Sequence, residues 1–210
     1  MEIHGPDKAV HSWKDFGIHI AIVTIGILIA LSLEGVRETV HEHRLVRDAR
    51  DTFRVELQMD QKHAGLELEA VVKATAQLKK LTEDYPELAQ KHPEEIAARL
   101  EAVQNPFYFF PANGWQTALS SSAMAHMSTE EVNRYANMYE LIRDYSSFQG
   151  QGLTAQDRAK AYFSSHPKPS AAELSEGAER LFLFLKAEES MQSVCKQLKD
   201  DLDKVMQTLE

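Results

Sequence analysis

Between Phe16 and Leu33 the chain reads FGIHIAIVTIGILIALSL, with no Asp, Glu, Lys or Arg in the run. At roughly 1.5 Å per residue this segment spans about 27 Å as a helix, close to the roughly 30 Å hydrocarbon core of a bilayer. Apolar side chains on every face leave no polar stripe for a soluble surface helix. The reading is one transmembrane anchor over residues 13–34, preceded by a tail over 1–12 and followed by an extramembrane helical domain over 35–210. Trp13 and Phe16 fall at the water interface, where aromatic rings anchor a span. Ile22 and Leu33 belong to its lipid-facing body. Gly26 and Ala30 make a small-xxx-small step that lets a second helix approach.

A cleaved secretory signal needs a basic start, a shorter apolar core and a small-residue cleavage site. Here Lys8 and Lys14 are offset by Glu2, Asp7 and Asp15, and Glu34 to Arg37 continue a helix. An uncleaved anchor is therefore expected. The net charge of −9 is spread in mixed-sign stretches with no basic stripe, which argues against nucleic acid as a partner. The single cysteine, Cys195, allows no intrachain disulfide, and its apolar seam position marks it as a core thiol rather than a nucleophile.

Ser12 to Asp15 offers a capping box for the anchor helix. Beyond the anchor no proline interrupts the chain until Pro86, so one continuous rod is predicted to Tyr85-Pro86, where proline should end it. Phe53, Leu57, Ala64, Leu68, Val71 and Leu78 keep three-four spacing along the rod, interrupted by Asp60 and Thr75. His41 and His43 point about 200° apart on a helix, and no H-x-x-x-H pair exists, so neither metal nor cofactor is expected. His92-Pro93-Glu94-Glu95 opens a short helix to about Gln104, closed by Asn105-Pro106.

Phe107 to Pro111 is the most aromatic stretch, expected as a buried plug between helices, with ligand contact as the sharper alternative. Asn113 to Gln116 is predicted to cap a short helix reading WQTALSSSAMAHM. Ser128 to Glu131 is a capping box that launches a helix with Val132, Tyr135, Tyr139 and Ile142 on one stripe. Gly150-Gln151-Gly152 should break that helix, with a short one following to about Phe163. After the His166-Pro167-Lys168-Pro169 linker, Ser170 to Glu173 caps a last helix. Its Leu181, Phe184, Met191, Cys195, Leu198, Leu202, Val205 and Leu209 hold three-four spacing, broken by Glu188. The fold class expected is all-α: a transmembrane helix continuing into a long helix that packs in an antiparallel bundle with the last one.

Several of these residues resemble a widespread group of uncharacterised bacterial single-pass inner-membrane helical proteins. The likeness rests on Trp13 and Phe16, the run Ile22 to Leu33 ending in Glu34, the segment His41 to Arg44 and the Glu56-Leu57 step. Trp115-Gln116-x-Ala118 and Tyr135-Ala136-x-x-Tyr139 are similar to further steps of that group. The resemblance covers about the first 60 residues well and the middle loosely; it implies a location and a helical fold, and carries no activity.

It also implies a cytoplasmic tail and a periplasmic C-terminal domain. Counting charges beside the anchor, Lys8 and Lys14 against Arg37, Arg44 and Arg47, favours the reverse by one. No P-loop, G-x-S-x-G, H-E-x-x-H, C-x-x-C or dinucleotide glycine turn occurs, so the protein is not expected to be an enzyme. The leading expectation is a membrane-anchored scaffold or accessory subunit of a membrane protein complex, bound to the bilayer and to a protein partner or a second copy of itself. A ligand-sensing bundle, and an enzyme with an unrecognised site, are the alternatives. Phe107, Phe109, Trp115 and Tyr139 are the candidate interaction or ligand surface.

Overall fold

In the computed structural model, which describes residues 13–104, 107–167 and 169–209, the chain forms five α-helices and one 3-10 turn. No strand occurs among the described residues. Helix α1 (Trp13–Lys91) is followed by α2 (Pro93–Glu101), α3 (Asn113–Ser120), the 3-10 turn Ala123–His126, α4 (Thr129–Ser165) and α5 (Ala171–Leu209). The expected tail, the Ser12 half of the first capping box, Asn105-Pro106 and Lys168 lie outside the described residues.

The two predicted heptad stripes find each other. Helix α5 runs antiparallel to α1: Gln61 bonds to Asp203, the Cys195 thiol donates to the Ala64 carbonyl, and the Tyr85 hydroxyl donates to the Leu174 carbonyl. Helix α4 lies antiparallel to α5, with Arg134 beside Thr208 at one end and the Tyr162 hydroxyl on the Glu173 carbonyl at the other. Phe53, Leu57, Ala64, Val71 and Leu78 of α1 are fully buried, as are Leu181, Phe184, Met191, Cys195, Leu198 and Leu202 of α5. The seam is therefore internal, as periodic apolar residues in a chain of this size require.

Residues 13–41 of α1 are all exposed. The segment is long and apolar enough to cross a membrane, and none of it is buried in the chain. The bundle begins near Glu42, whose carboxylate lies 3.6 Å from His126, and Val46 is the first buried residue. Arg50 closes this end with a two-pronged contact to Glu131, at 2.6 and 2.8 Å. One helix thus carries both the apolar span and the spine of the bundle.

Four local expectations are corrected. The rod does not stop at Tyr85-Pro86 but runs to Lys91 with Pro86 inside it. Proline in a helix interior costs about 3 kcal/mol, yet Tyr85 and Leu88 on either side are buried and the Tyr85 hydroxyl is bonded, so burial outweighs the missing N–H. Likewise Gly150-Gln151-Gly152 does not break α4. A Cβ on Gly152 would lie 3.5 Å from Glu188 Oε1 and from Met191 Sδ, so this glycine sits where α5 comes close. Thr154 donates to the Gly150 carbonyl within this uninterrupted helix.

The WQTALSSSAMAHM segment is not one helix: α3 ends at Ser120, and Ser122 takes a left-handed conformation (φ 61°) before the 3-10 turn. The residue at the cap of α3 is Ala112, not Asn113, and no side chain caps it. By contrast Ser128 caps α4 by accepting from the Glu131 amide, and Ser170 and Glu173 form the reciprocal box at α5. In the first of these boxes the Glu131 side chain goes to Arg50.

Candidate functional site

Helix α1 presents Glu56, Asp60 and Glu67, four and then seven residues apart, toward the interior; all three are buried. Such spacing puts them on one helix face. A buried carboxyl is costly unless donors reach it, and two of the three are fully served. Glu56 accepts the Tyr139 hydroxyl at 2.7 Å on Oε1 and the Gly114 amide at 2.9 Å on Oε2. Glu67 accepts the Tyr145 hydroxyl at 2.8 Å and Gln149 at 3.2 Å on Oε1, and the Tyr108 amide at 2.9 Å on Oε2. Gln149 also donates to the Tyr108 carbonyl at 3.1 Å.

Each of these acids therefore joins three parts of the chain: α1, a side chain of α4, and a backbone amide of the connection that carries α3. Gly114 sits in a tight place. A Cβ there would come within 3.2 Å of Thr52 Cγ2 and 3.3 Å of both Phe53 Cδ1 and the Tyr139 hydroxyl, crowding the approach of the amide to Glu56.

Asp60 is different. It is fully buried, and neither carboxyl oxygen has a hydrogen-bond partner among the described residues. Burial, and then the negative charge of Glu56 beside it, push its carboxyl up to about 7. Burial also raises Glu67, against the opposing pull of its bonds from Tyr145, Gln149 and Tyr108. Tyr139 and Tyr145 are pushed above the ordinary phenol range, first by burial, and so remain donors. Burial pushes the Cys195 thiol up to about 11, which keeps it an unreactive core thiol.

Of the residues singled out from sequence, Trp115 and Tyr139 come together, with ring centroids 5.5 Å apart. The Phe53 ring lies tilted against both, and its centroid is 4.2 Å from that of Tyr135. The Glu56-Leu57, Trp115-x-x-Ala118 and Tyr135-x-x-x-Tyr139 steps, widely separated in sequence, thus meet at one place. Phe107 and Phe109 do not join them. The aromatic stretch is only partly a plug: Phe110 is buried edge-on against Tyr145, whereas Phe109 is 79% exposed, with its carbonyl 3.1 Å from His63 Nδ1.

At the other end of α1, the Trp13 and Phe16 rings meet edge to face at 6.0 Å, and Ile22, Gly26, Ala30 and Leu33 are exposed. Sequence reasoning missed Asp60, Glu67 and Gln149 as site residues. The available signal was Asp60 itself, an acid at a register position where the stripe calls for an apolar side chain. Comparison with protein-family models, with curated proteins and with solved structures returned no match for this chain.

Proposed function

We propose that this chain is a non-catalytic, membrane-anchored helical scaffold or accessory subunit that holds its bundle at a set height above a bilayer for a protein partner. The observation that carries this reading is the continuity of α1: residues 13–41 touch the solvent-facing exterior throughout, while Val46 to Leu88 form the spine of the bundle. A helix without a joint transmits position rigidly, and about 13 Å of free helix between Leu33 and Glu42 separates the apolar run from the bundle. The bilayer is assigned as a bacterial inner membrane and the bundle as periplasmic, in line with the resemblance of the anchor sequence. Phe109, 79% exposed and the most exposed aromatic of the bundle among the described residues, is the position proposed for the partner's approach.

Membrane washing and site-specific photo-cross-linking test this together. The protein is expected to stay with membranes through high-salt and alkaline washes and to yield a discrete adduct from a photoreactive side chain at Phe109, with none from one at Lys80. Release by salt would remove the anchor from the account, and equal labelling at both positions would remove the partner.

A further inference from the structure

We propose that Asp60 is a proton-binding site in the bundle core, and that its occupancy controls how firmly the 107–127 connection is held on α1. The inference goes beyond the scaffold role and stands whatever the bundle binds. Its basis is geometric. Asp60 has no solvent exposure and, among the described residues, no donor to either oxygen, and it lies on α1 between Leu57 and Ala64, both fully buried members of the apolar core. A protonated carboxyl can rest in such a place, whereas a bare carboxylate needs a donor or water.

The groups around it limit what can respond. On α1, Glu56 lies one turn away and raises the Asp60 carboxyl by its charge. From α4, Tyr139 feels both acids, while Tyr135, one turn earlier, is influenced by Glu131 and Arg50. From α5, Lys199 and Asp203 pair with each other at 2.6 Å, and Asp203 also accepts from Gln61, the residue after Asp60. From α3 the Gly114 amide is already given to Glu56. When Asp60 releases its proton to solvent, two negative charges one turn apart share the two donors that Glu56 now holds. Relief comes by moving the Tyr139 hydroxyl toward Asp60 or by admitting water, and either weakens the clamp on Gly114 and the Trp115 ring beside it.

Trp115 is the natural reporter, because the chain has two tryptophans and the other is Trp13. The full chain carrying Trp13→Phe, in detergent micelles, is titrated from about pH 5 to about pH 9 while Trp115 emission is followed. The expected result is a spectral transition with its midpoint near about 7 that persists in His63→Gln, whose ring faces Phe109 and Glu67 instead. The transition is expected to vanish in both Asp60→Asn and Asp60→Leu, leaving the low-pH spectrum throughout. Once the base-catalysed rise in intrinsic exchange is divided out, protection of the Gly114 amide is expected to fall at least tenfold above the midpoint in the Asp60 protein only. A transition retained in either Asp60 variant, or none in the parent, would overturn the proposal, as would a protection factor at Gly114 that does not change with pH.

Discussion

The Tyr139 hydroxyl donates to Glu56 Oε1 across 2.7 Å, joining α4 to α1 between residues 83 positions apart. Because the other oxygen of Glu56 takes the Gly114 amide, one side chain fixes the relative placement of three elements.

Removing it should therefore do more than remove one bond. Glu56→Ala leaves a buried hydroxyl and a buried amide without partners, and a loss of about 2–5 kcal/mol is expected in denaturant unfolding. Tyr139→Phe leaves the Gly114 bond in place and should cost about 1–2 kcal/mol. In a double-mutant cycle the two changes should couple by at least about 1 kcal/mol; additive losses would mean that the contact is not made.

The α5 seam is internal, so Leu198→Asp or Leu202→Asp should unfold the domain rather than dissociate folded copies. Both leucines are fully buried between α1 and α4. Truncation to alanine at either should cost about 2–5 kcal/mol. Circular dichroism and sizing of the detergent-solubilised protein distinguish the outcomes: a helical, smaller species from the Asp variants would identify an intermolecular zipper instead.

Two glycines in helix interiors should respond in opposite directions to alanine. Gly150 of α4 has open space where a Cβ would go, and Gly150→Ala should stabilise by about 0.5–1 kcal/mol through helix propensity. A Cβ on Gly177 of α5 would lie 2.8 Å from the Tyr85 hydroxyl and 2.9 Å from the Phe163 ring. Since that hydroxyl is bonded to Leu174, neither neighbour can move freely, and Gly177→Ala should cost about 1–3 kcal/mol. Thermal midpoints of the two variants should move apart.

Asp60 should also shape global stability against pH. Its carboxyl is raised from 3.8 to about 7 in the folded chain, so the folded state binds more protons between those values. Stability from this group is therefore greatest at and below about pH 4 and falls as pH rises through about 7, by on the order of 4 kcal/mol at most. Asp60→Leu should be more stable than the parent at pH 8, with the gap closing as the medium is acidified. Unfolding midpoints at several pH values provide the measurement, and a gap that does not depend on pH would refute the assignment.

The helical class, the anchor run and the two pairing stripes were legible because each depends on periodicity within one segment. The caps at Ser128 and Ser170 were legible for the same reason: donor and acceptor lie three residues apart. Asp60 and Glu188 could be seen only as breaks in their stripes, and their burial could not be seen at all. The Trp115 and Tyr139 pairing was half visible, since both residues stood out as aromatic, but nothing local tied them to Glu56.

By itself, then, the amino-acid order determined that this chain is helical, that α1 carries an apolar run sized for a bilayer, and which faces must be buried. Tertiary structure alone decided that α1 passes through Pro86, that α4 passes through Gly150 and Gly152, and that the 115–127 stretch splits at Ser122. The reason is one of magnitude. Local preferences of about 1–3 kcal/mol at a proline or glycine yield where burial of several rings and aliphatic side chains contributes more. Where a buried acid finds its donors depends on residues some forty to eighty positions away, which no local pattern encodes.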